Sequence, residues 1–299
     1  MIALSRYALQ SVGVAAFVLA LKWLAAALTG SVALWSDALE SIINVVVAAV
    51  AYFALRLSAK GADANHQFGH YKVEYFSAVL EGALIAVAAI AIFREATASF
   101  FDPKALDTPI LGLAINGVAT VINAGWGWHL TRIGRRERSP ALYADGQHVL
   151  SDVVSSIGVI LGLIAAVLTG WLWLDAVIAA CVGAYILTTG WRLVKDSVGG
   201  LMDAAADPRT LAAIKKTIGV EANGALEAHD LRTRAAGPVT FIEFHLVVPA
   251  TMTVSAAHDI CDRIEAALNR EVPGSRVTIH VEPEDKAKHA GIKTRSTHA

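Results

Sequence analysis

Long apolar runs fill residues 9 to 198 of this 299-residue chain, and they constrain its fold more than any other feature. Each is close to the roughly 20 residues that a helix needs to cross a bilayer. A helix also satisfies its own backbone hydrogen bonds where water is absent. Six membrane-spanning helices are therefore predicted, over residues 9–28, 31–57, 76–93, 109–130, 142–169 and 171–194. The first run resembles a signal peptide, but a second run follows at once, which favours a membrane helix.

The last hundred residues have the composition of a soluble domain. Helical and alternating patterns occur there in the order α-β-β-α-β, which is typical of a small two-layer α+β domain. The predicted elements cover residues 209–218, 226–234, 239–248, 255–268 and 276–281. We expect a transmembrane domain over 1–202, an α+β domain over 203–285 and a disordered tail over 286–299.

Basic residues in the predicted loops orient the membrane domain. One side collects Arg6, Arg56, Lys60, Lys72, Arg132, Arg135, Arg136, Arg138, Arg192 and Lys195. The other side has Lys104, with Arg94 near the boundary. This asymmetry predicts that both termini and the soluble domain are cytoplasmic. A net charge of −1 gives no indication of nucleic-acid binding, and two separated cysteines do not indicate a disulfide framework.

Two polar pairs interrupt the apolar runs. Glu40 and Asn44 are four residues apart in the second span, and His148 and Asp152 are four apart in the fifth. This spacing puts both members of a pair on one helix face. Ionisable groups are costly in hydrocarbon, so these four residues are a candidate intramembrane metal site. Their oxygen and nitrogen donors suit zinc, manganese, iron(II) or cobalt. Hydrogen bonding between packed helices is the alternative interpretation.

Two further clusters could bind metal. The loop after the second span holds Asp63, His66 and His70 within eight residues, although incidental polar residues of a loop would look the same. The soluble part carries His229, His245, His258, His280 and Glu282. Period-two alternation places His280 and Glu282 on one strand face. So many histidines within one short domain favour a metal-binding surface.

These motifs resemble the cation diffusion facilitator family, and within it the bacterial zinc and iron exporters. The resemblance rests on SVALWSDALESIIN in span two, DANHQFGHYKVEYFSA in the loop and ADGQHVLSDVVSS in span five, and it extends to about Glu282. It implies a transport site, a loop site and a cytoplasmic site made of the residues named above. It also implies a charge pair at the membrane hinge, between Lys72 and Asp203.

The resemblance further implies a homodimer in the bacterial inner membrane, in contact with lipid. Each protomer would have six helices and a metallochaperone-like cytoplasmic domain. Such proteins export divalent metal in exchange for protons, so Zn²⁺ or another divalent transition metal would be both substrate and regulatory ligand. The chain departs from the family at Glu40 and Asn44, where two aspartates, or a histidine and an aspartate, are usual. This departure bears directly on which metal is carried.

Several functions stay open at this point. Zinc is the first expectation, and iron(II), manganese, cobalt, nickel and cadmium are alternatives. A membrane metal sensor or scaffold that binds metal without transporting it is an alternative of another class. An enzyme is not expected, because the HExxH motif of zinc proteases and a serine–histidine elbow are both missing from the sequence.

Overall fold

The computed structural model describes residues 2–29, 32–101, 110–171 and 173–293. Side chains at positions 2, 3, 29, 32–34, 36, 37, 40, 110–113, 163, 166, 167 and 293 lie outside this description. Residues Met1–Val198 form one compact unit and Gly199–Ala299 a second. The first is built from helices and the second from helices and a sheet, which confirms the predicted fold class.

Six long helices make up the described part of the membrane domain. They are α1 (Ile2–Thr29), α2 (Val32–Ser58), α3 (Val73–Phe101), α4 (Ile110–Arg136), α5 (Pro140–Thr169) and α6 (Trp173–Leu201). By length and composition, the described parts of α1, α2, α3 and α6 can cross a membrane. The run of α5 is interrupted by Asp145, His148 and Asp152.

Helix α5 packs against both halves of this domain. One buried cluster joins it to α1, α2 and α4 through residues such as Leu55, Leu130 and Leu142. Another joins it to α3 and α6 through Ile85 and Ile186. At Gly146 a Cβ atom would lie 2.7 Å from the backbone nitrogen of Thr131, so α4 and α5 approach too closely for a larger residue.

A buried carboxyl group joins three helix ends. Glu74, in the first turn of α3, is 1% exposed. The hydroxyl of Ser58 in α2 donates to its Oε1 at 2.7 Å, and that of Ser139 donates to its Oε2 at 2.5 Å. Ser139 also caps α5, since its Oγ lies 3.3 Å from the backbone nitrogen of Leu142. We call this arrangement the Glu74 clasp; it ties the C-terminal end of α2 to the N-terminal ends of α3 and α5.

The second unit contains α7 (Pro208–Glu221), β1 (Glu227–Ala236), β2 (Val239–Val248), α8 (Val254–Glu271), β3 (Ser275–Pro283) and β4 (Ile292–Lys293). Its strands are ordered β3-β2-β1-β4, with β2 and β3 parallel and the other pairs antiparallel. Both helices cover one face, where Ile214, Ile242, Phe244, Ile264 and Leu268 form the core. The opposite face carries the alternate residues of β2, including His245.

The prediction of a disordered tail from residue 286 is wrong for residues 286–293. Strand β4 pairs with Glu227 and Ala228 of β1. The backbone nitrogens of His289 and Gly291 donate to the two carboxylate oxygens of Glu227, at 2.8 and 3.1 Å. These hydrogen bonds and the packing of Ile292 on the core order this segment, although its polar composition alone predicts disorder. Residues 294–299 lie outside the described part.

Candidate metal sites and family membership

The predicted membrane ligands on α2 and α5 converge. The Nδ2 atom of Asn44 donates to Oδ2 of Asp152 at 2.5 Å, and its Oδ1 lies 3.0 Å from Nε2 of His148. Residues more than a hundred positions apart therefore meet through their predicted donor atoms. Glu40 lies one turn before Asn44 in α2, and its side chain is outside the described part.

The chemistry of this group suits a cation. His148 is 6% exposed, and its Nδ1 has no hydrogen-bond partner among the described residues. His148 Nε2 donates to the amide oxygen of Asn44, so a metal ion that bound there would take the place of this proton, while the oxygens of Asn44 and Asp152 are acceptors that a metal ion could use. A metal there would replace a network of hydrogen bonds and would compete with protons for the same atoms.

The sequence reasoning passed over two buried carboxyl groups beside this site. Asp145 is 1% exposed and Glu81 is completely buried. Asp145 precedes His148 by three residues and Asp152 by seven, so all three share a face of α5. This spacing is visible in the sequence and would have been enough to add Asp145 to the candidate residues of the fifth span. Glu81 lies in the apolar run of α3, and the hydroxyl of Ser77 donates to its Oε1 at 2.9 Å.

The structure also brings the three loop residues together. Ligand atoms of Asp63, His66 and His70 all lie within 4.8 Å of one another. The carboxylate of Asp63 accepts from the backbone nitrogens of Asn65 and His66, at 3.1 and 2.8 Å, which fixes its orientation. The Lys60 ammonium, 2.9 Å from the second oxygen, and the amide of His66 hold the pKa of Asp63 well below its usual range. Asp63 is thus ionised, and a metal ion at this candidate site would compete with the Lys60 ammonium for its carboxylate.

Strand register assembles the predicted cytoplasmic cluster. His229 of β1 pairs with His245 of β2, and His245 pairs with His280 of β3, so the three imidazoles form a row across the sheet. The carboxylate of Glu282 lies 3.2 Å from His229 Nε2, 3.1 Å from His245 Nδ1 and 3.7 Å from His280 Nε2. Four of the five predicted residues therefore come together around one carboxyl group.

His258 takes a different position, and Asp230 is an additional candidate. His258 lies on α8, with its Nε2 3.6 Å from Oδ1 of Asp262, and the structure does not bring it to the row on the strands. Asp230 joins His229 and His245 in a group whose ligand atoms lie within 4.8 Å. Strict alternation would direct Asp230 to the other face, but a bulge after His229 and a φ of 51° at Asp230 redirect it. The Lys288 ammonium, 2.5 Å away, lowers the pKa of Asp230.

The two residues of the predicted hinge pair fall in different units. Lys72 directly precedes α3, and Asp203 follows α6 with a φ of 59°. Within its own unit, Asp203 Oδ1 lies 3.4 Å from Arg234 Nη1. The pairing of Lys72 with Asp203 stays a prediction.

Comparison with known proteins decides the family. The model for the cation efflux transmembrane domain matches residues 8–202, and the model for the cation efflux protein cytoplasmic domain matches residues 206–284. The chain belongs to the cation diffusion facilitator family of cation efflux proteins. It is a membrane protein, and the predicted resemblance is confirmed.

Relatives match along nearly the whole chain. The uncharacterized transporter sll1263 of Synechocystis is 44% identical over 94% of this chain and 91% of its own length. The cation-efflux pump FieF of Escherichia coli K12 is 31% identical over 93% of this chain and 92% of its own length. A solved structure of CzrB in its zinc form is 46% identical over 29% of this chain and 98% of its own, with a TM-score of 0.26.

Proposed function

We propose that this protein exports a divalent metal cation from the cytoplasm, with zinc as the first candidate, in exchange for protons. The observation that carries the proposal is the convergence of Asn44, His148 and Asp152 between α2 and α5. A buried imidazole and a half-buried carboxylate, both hydrogen-bonded to Asn44 within the membrane helices, are costly unless they serve a cation. Family membership supports cation efflux as the process.

Proton exchange follows from the same donor atoms. A metal ion needs the neutral imidazole of His148 and the ionised carboxylate of Asp152, and protons displace it from both. Alternating access of the α2–α5 site to the two sides of the membrane would then couple the two flows in opposite directions. The excess of basic residues in the loops on one side supports a cytoplasmic position for both termini in this proposal.

We also propose a homodimer whose cytoplasmic domains respond to metal. The row of His229, His245 and His280 around Glu282 is the proposed regulatory site, and the loop group of Asp63, His66 and His70 is a further one. Metal binding at either site changes transport only if it favours one conformation over another. The proposed Lys72–Asp203 pair would join the membrane and cytoplasmic parts at the hinge.

Metal-driven proton flux in proteoliposomes tests the transport proposal. Three proteins are assayed: wild type, His148→Ala and the control His129→Ala. Each is tested with zinc, iron(II), manganese, cobalt, nickel and cadmium. The control removes an imidazole from α4 whose ring lies against Tyr7 and Trp126, outside the α2–α5 site. We expect flux in wild type and in the control, and none with His148→Ala in a folded dimer.

Two results would change this conclusion. Unchanged flux with His148→Ala would show that the α2–α5 group is not the transport site. Metal binding by a folded wild-type dimer, with no flux for any of the six metals, would favour a sensor or scaffold. Asn44→Asp addresses selectivity, because it restores a second carboxylate to α2; an altered metal preference is expected.

A further inference from the structure

A small cavity with both polar and apolar lining lies beside the α2–α5 site, between α1, α2, α4 and α5. Its polar lining consists of Ser11, Ser41, Asn44, Asn123, Trp126 and Asp145. It has room for an occupant about the size of one water molecule. Asn44 belongs both to this lining and to the group with His148 and Asp152, so the two sites are adjacent.

One carboxylate oxygen in the cavity lacks a hydrogen-bond partner among the described residues. The indole Nε1 of Trp126 donates to Oγ of Ser11 at 3.1 Å, and the Ser11 hydroxyl in turn donates to Asp145. The Oδ2 atom of Asp145 has no hydrogen-bond partner among the described residues, although Asp145 is only 1% exposed. Leaving such an oxygen dry and unpaired costs several kcal/mol, so its position requires an occupant or a proton.

The charge around the cavity favours a cation. The described residues that line the cavity include no lysine or arginine. Glu81 of α3, completely buried, lies close enough to interact electrostatically with Asp145. A carboxylate, amide oxygens and hydroxyl groups form an all-oxygen set, which hard divalent cations accept. The neighbouring group differs because it includes an imidazole.

We infer that this cavity is a second site for the divalent cargo, a waypoint from which the ion passes to His148 and Asp152 by way of Asn44. The inference rests on the proposed transport function. Along α5, Asp145 lies about 4.5 Å nearer the helix N-terminus than His148, given a rise of about 1.5 Å per residue. That end adjoins the last turn of α4, with Arg135 and Arg136, on the proposed cytoplasmic side. An exported ion therefore meets Asp145 before His148.

Transport kinetics with Asp145→Asn test the waypoint. The ion loses its charged ligand there, so we expect the apparent KM for metal to rise about tenfold while kcat stays within about twofold. Asp175→Asn is the matched control, because it makes the same change in α6, outside the cavity. Wild type and His148→Ala are measured in the same assay.

A charge swap separates a ligand from a structural residue. In Asp145→Asn with Asn123→Asp, the carboxylate moves from α5 to α4 but stays in the cavity, and we expect the wild-type KM to return. An unchanged KM for Asp145→Asn overturns the inference, and so does a raised KM that the swap fails to restore. If Asp145→Asn does not give a folded dimer, Ser11→Ala replaces it, with an expected rise in KM of about threefold and an unchanged KM as the contrary result.

The proposed function and this inference fail in different ways. If wild type carries none of the metals, transport itself is refuted. Binding of Mn²⁺ to the full-length dimer, followed by electron paramagnetic resonance, still tests the cavity. One fewer Mn²⁺ bound per protomer in Asp145→Asn than in wild type supports the site, and equal binding overturns it.

Discussion

Replacing Glu74 with alanine tests whether the Glu74 clasp holds the membrane domain together. Two serine hydroxyls, from Ser58 and Ser139, donate to this carboxyl group at 2.7 and 2.5 Å in a buried position. Removing the carboxyl group leaves two buried serine hydroxyls without their acceptor, at about 1–3 kcal/mol each, so the free energy of unfolding falls by about 3 kcal/mol or more. For a domain of this size that corresponds to a Tm lower by roughly 6 °C or more.

Thermal unfolding of the purified protein in detergent, followed by tryptophan fluorescence, measures this change. Glu74→Gln keeps the side-chain length and one acceptor oxygen, so its Tm should fall between those of wild type and Glu74→Ala. Glu95→Ala removes an exposed carboxylate from the same helix, and it should leave the Tm within about 1 °C. A Glu74→Ala protein that unfolds within 2 °C of wild type would refute the energetic role given to the clasp.

Three further perturbations have defined outcomes. Lys60→Met removes the cation beside Asp63 and should tighten metal binding at the loop site by up to about fivefold in calorimetry. Weaker binding would show that Lys60 does not compete with the metal ion for the Asp63 carboxylate. Glu282→Gln should weaken metal binding in the cytoplasmic domain by about tenfold or more, whereas His258→Ala should leave the tightest binding step unchanged. Gly146→Ala should lower stability by about 1–3 kcal/mol, because the added Cβ meets the backbone of α4, and an unchanged Tm would show that α4 and α5 can separate freely.

Hydrophobic pattern predicted the fold well because it acts on whole segments. The apolar runs gave all six membrane helices, and alternation in the soluble part gave β2 at its observed bounds, Val239–Val248. Strand β4 was not predicted, because a strand of two residues leaves no periodic signal, and the segment before it is held by backbone hydrogen bonds to the carboxylate of Glu227. Its existence depends on a partner more than sixty residues away.

The candidate sites were predictable where ligands recur at helical or strand spacing. The pair of His148 and Asp152 on α5 is of this kind, and Asn44 meets it as expected. Asp230 was missed because a bulge reverses the face on which alternation would place it. His258 was grouped with the strand histidines on residue type alone, which carries no information about the helix on which it lies.

The row of histidines across the sheet has a consequence for how the protein is made. Its ligands come from β1, β2 and β3, and Glu282 stands near the end of the last of these strands. During synthesis the six membrane helices and two of the strands are complete before Glu282 leaves the ribosome. A nascent chain therefore cannot assemble this site while its helices are still inserting. A chain that ends before β3 would lack both this strand and the Glu282 carboxylate, which lies beside the three imidazoles. The proposed metal site on the sheet can therefore form only after β3 has been synthesised.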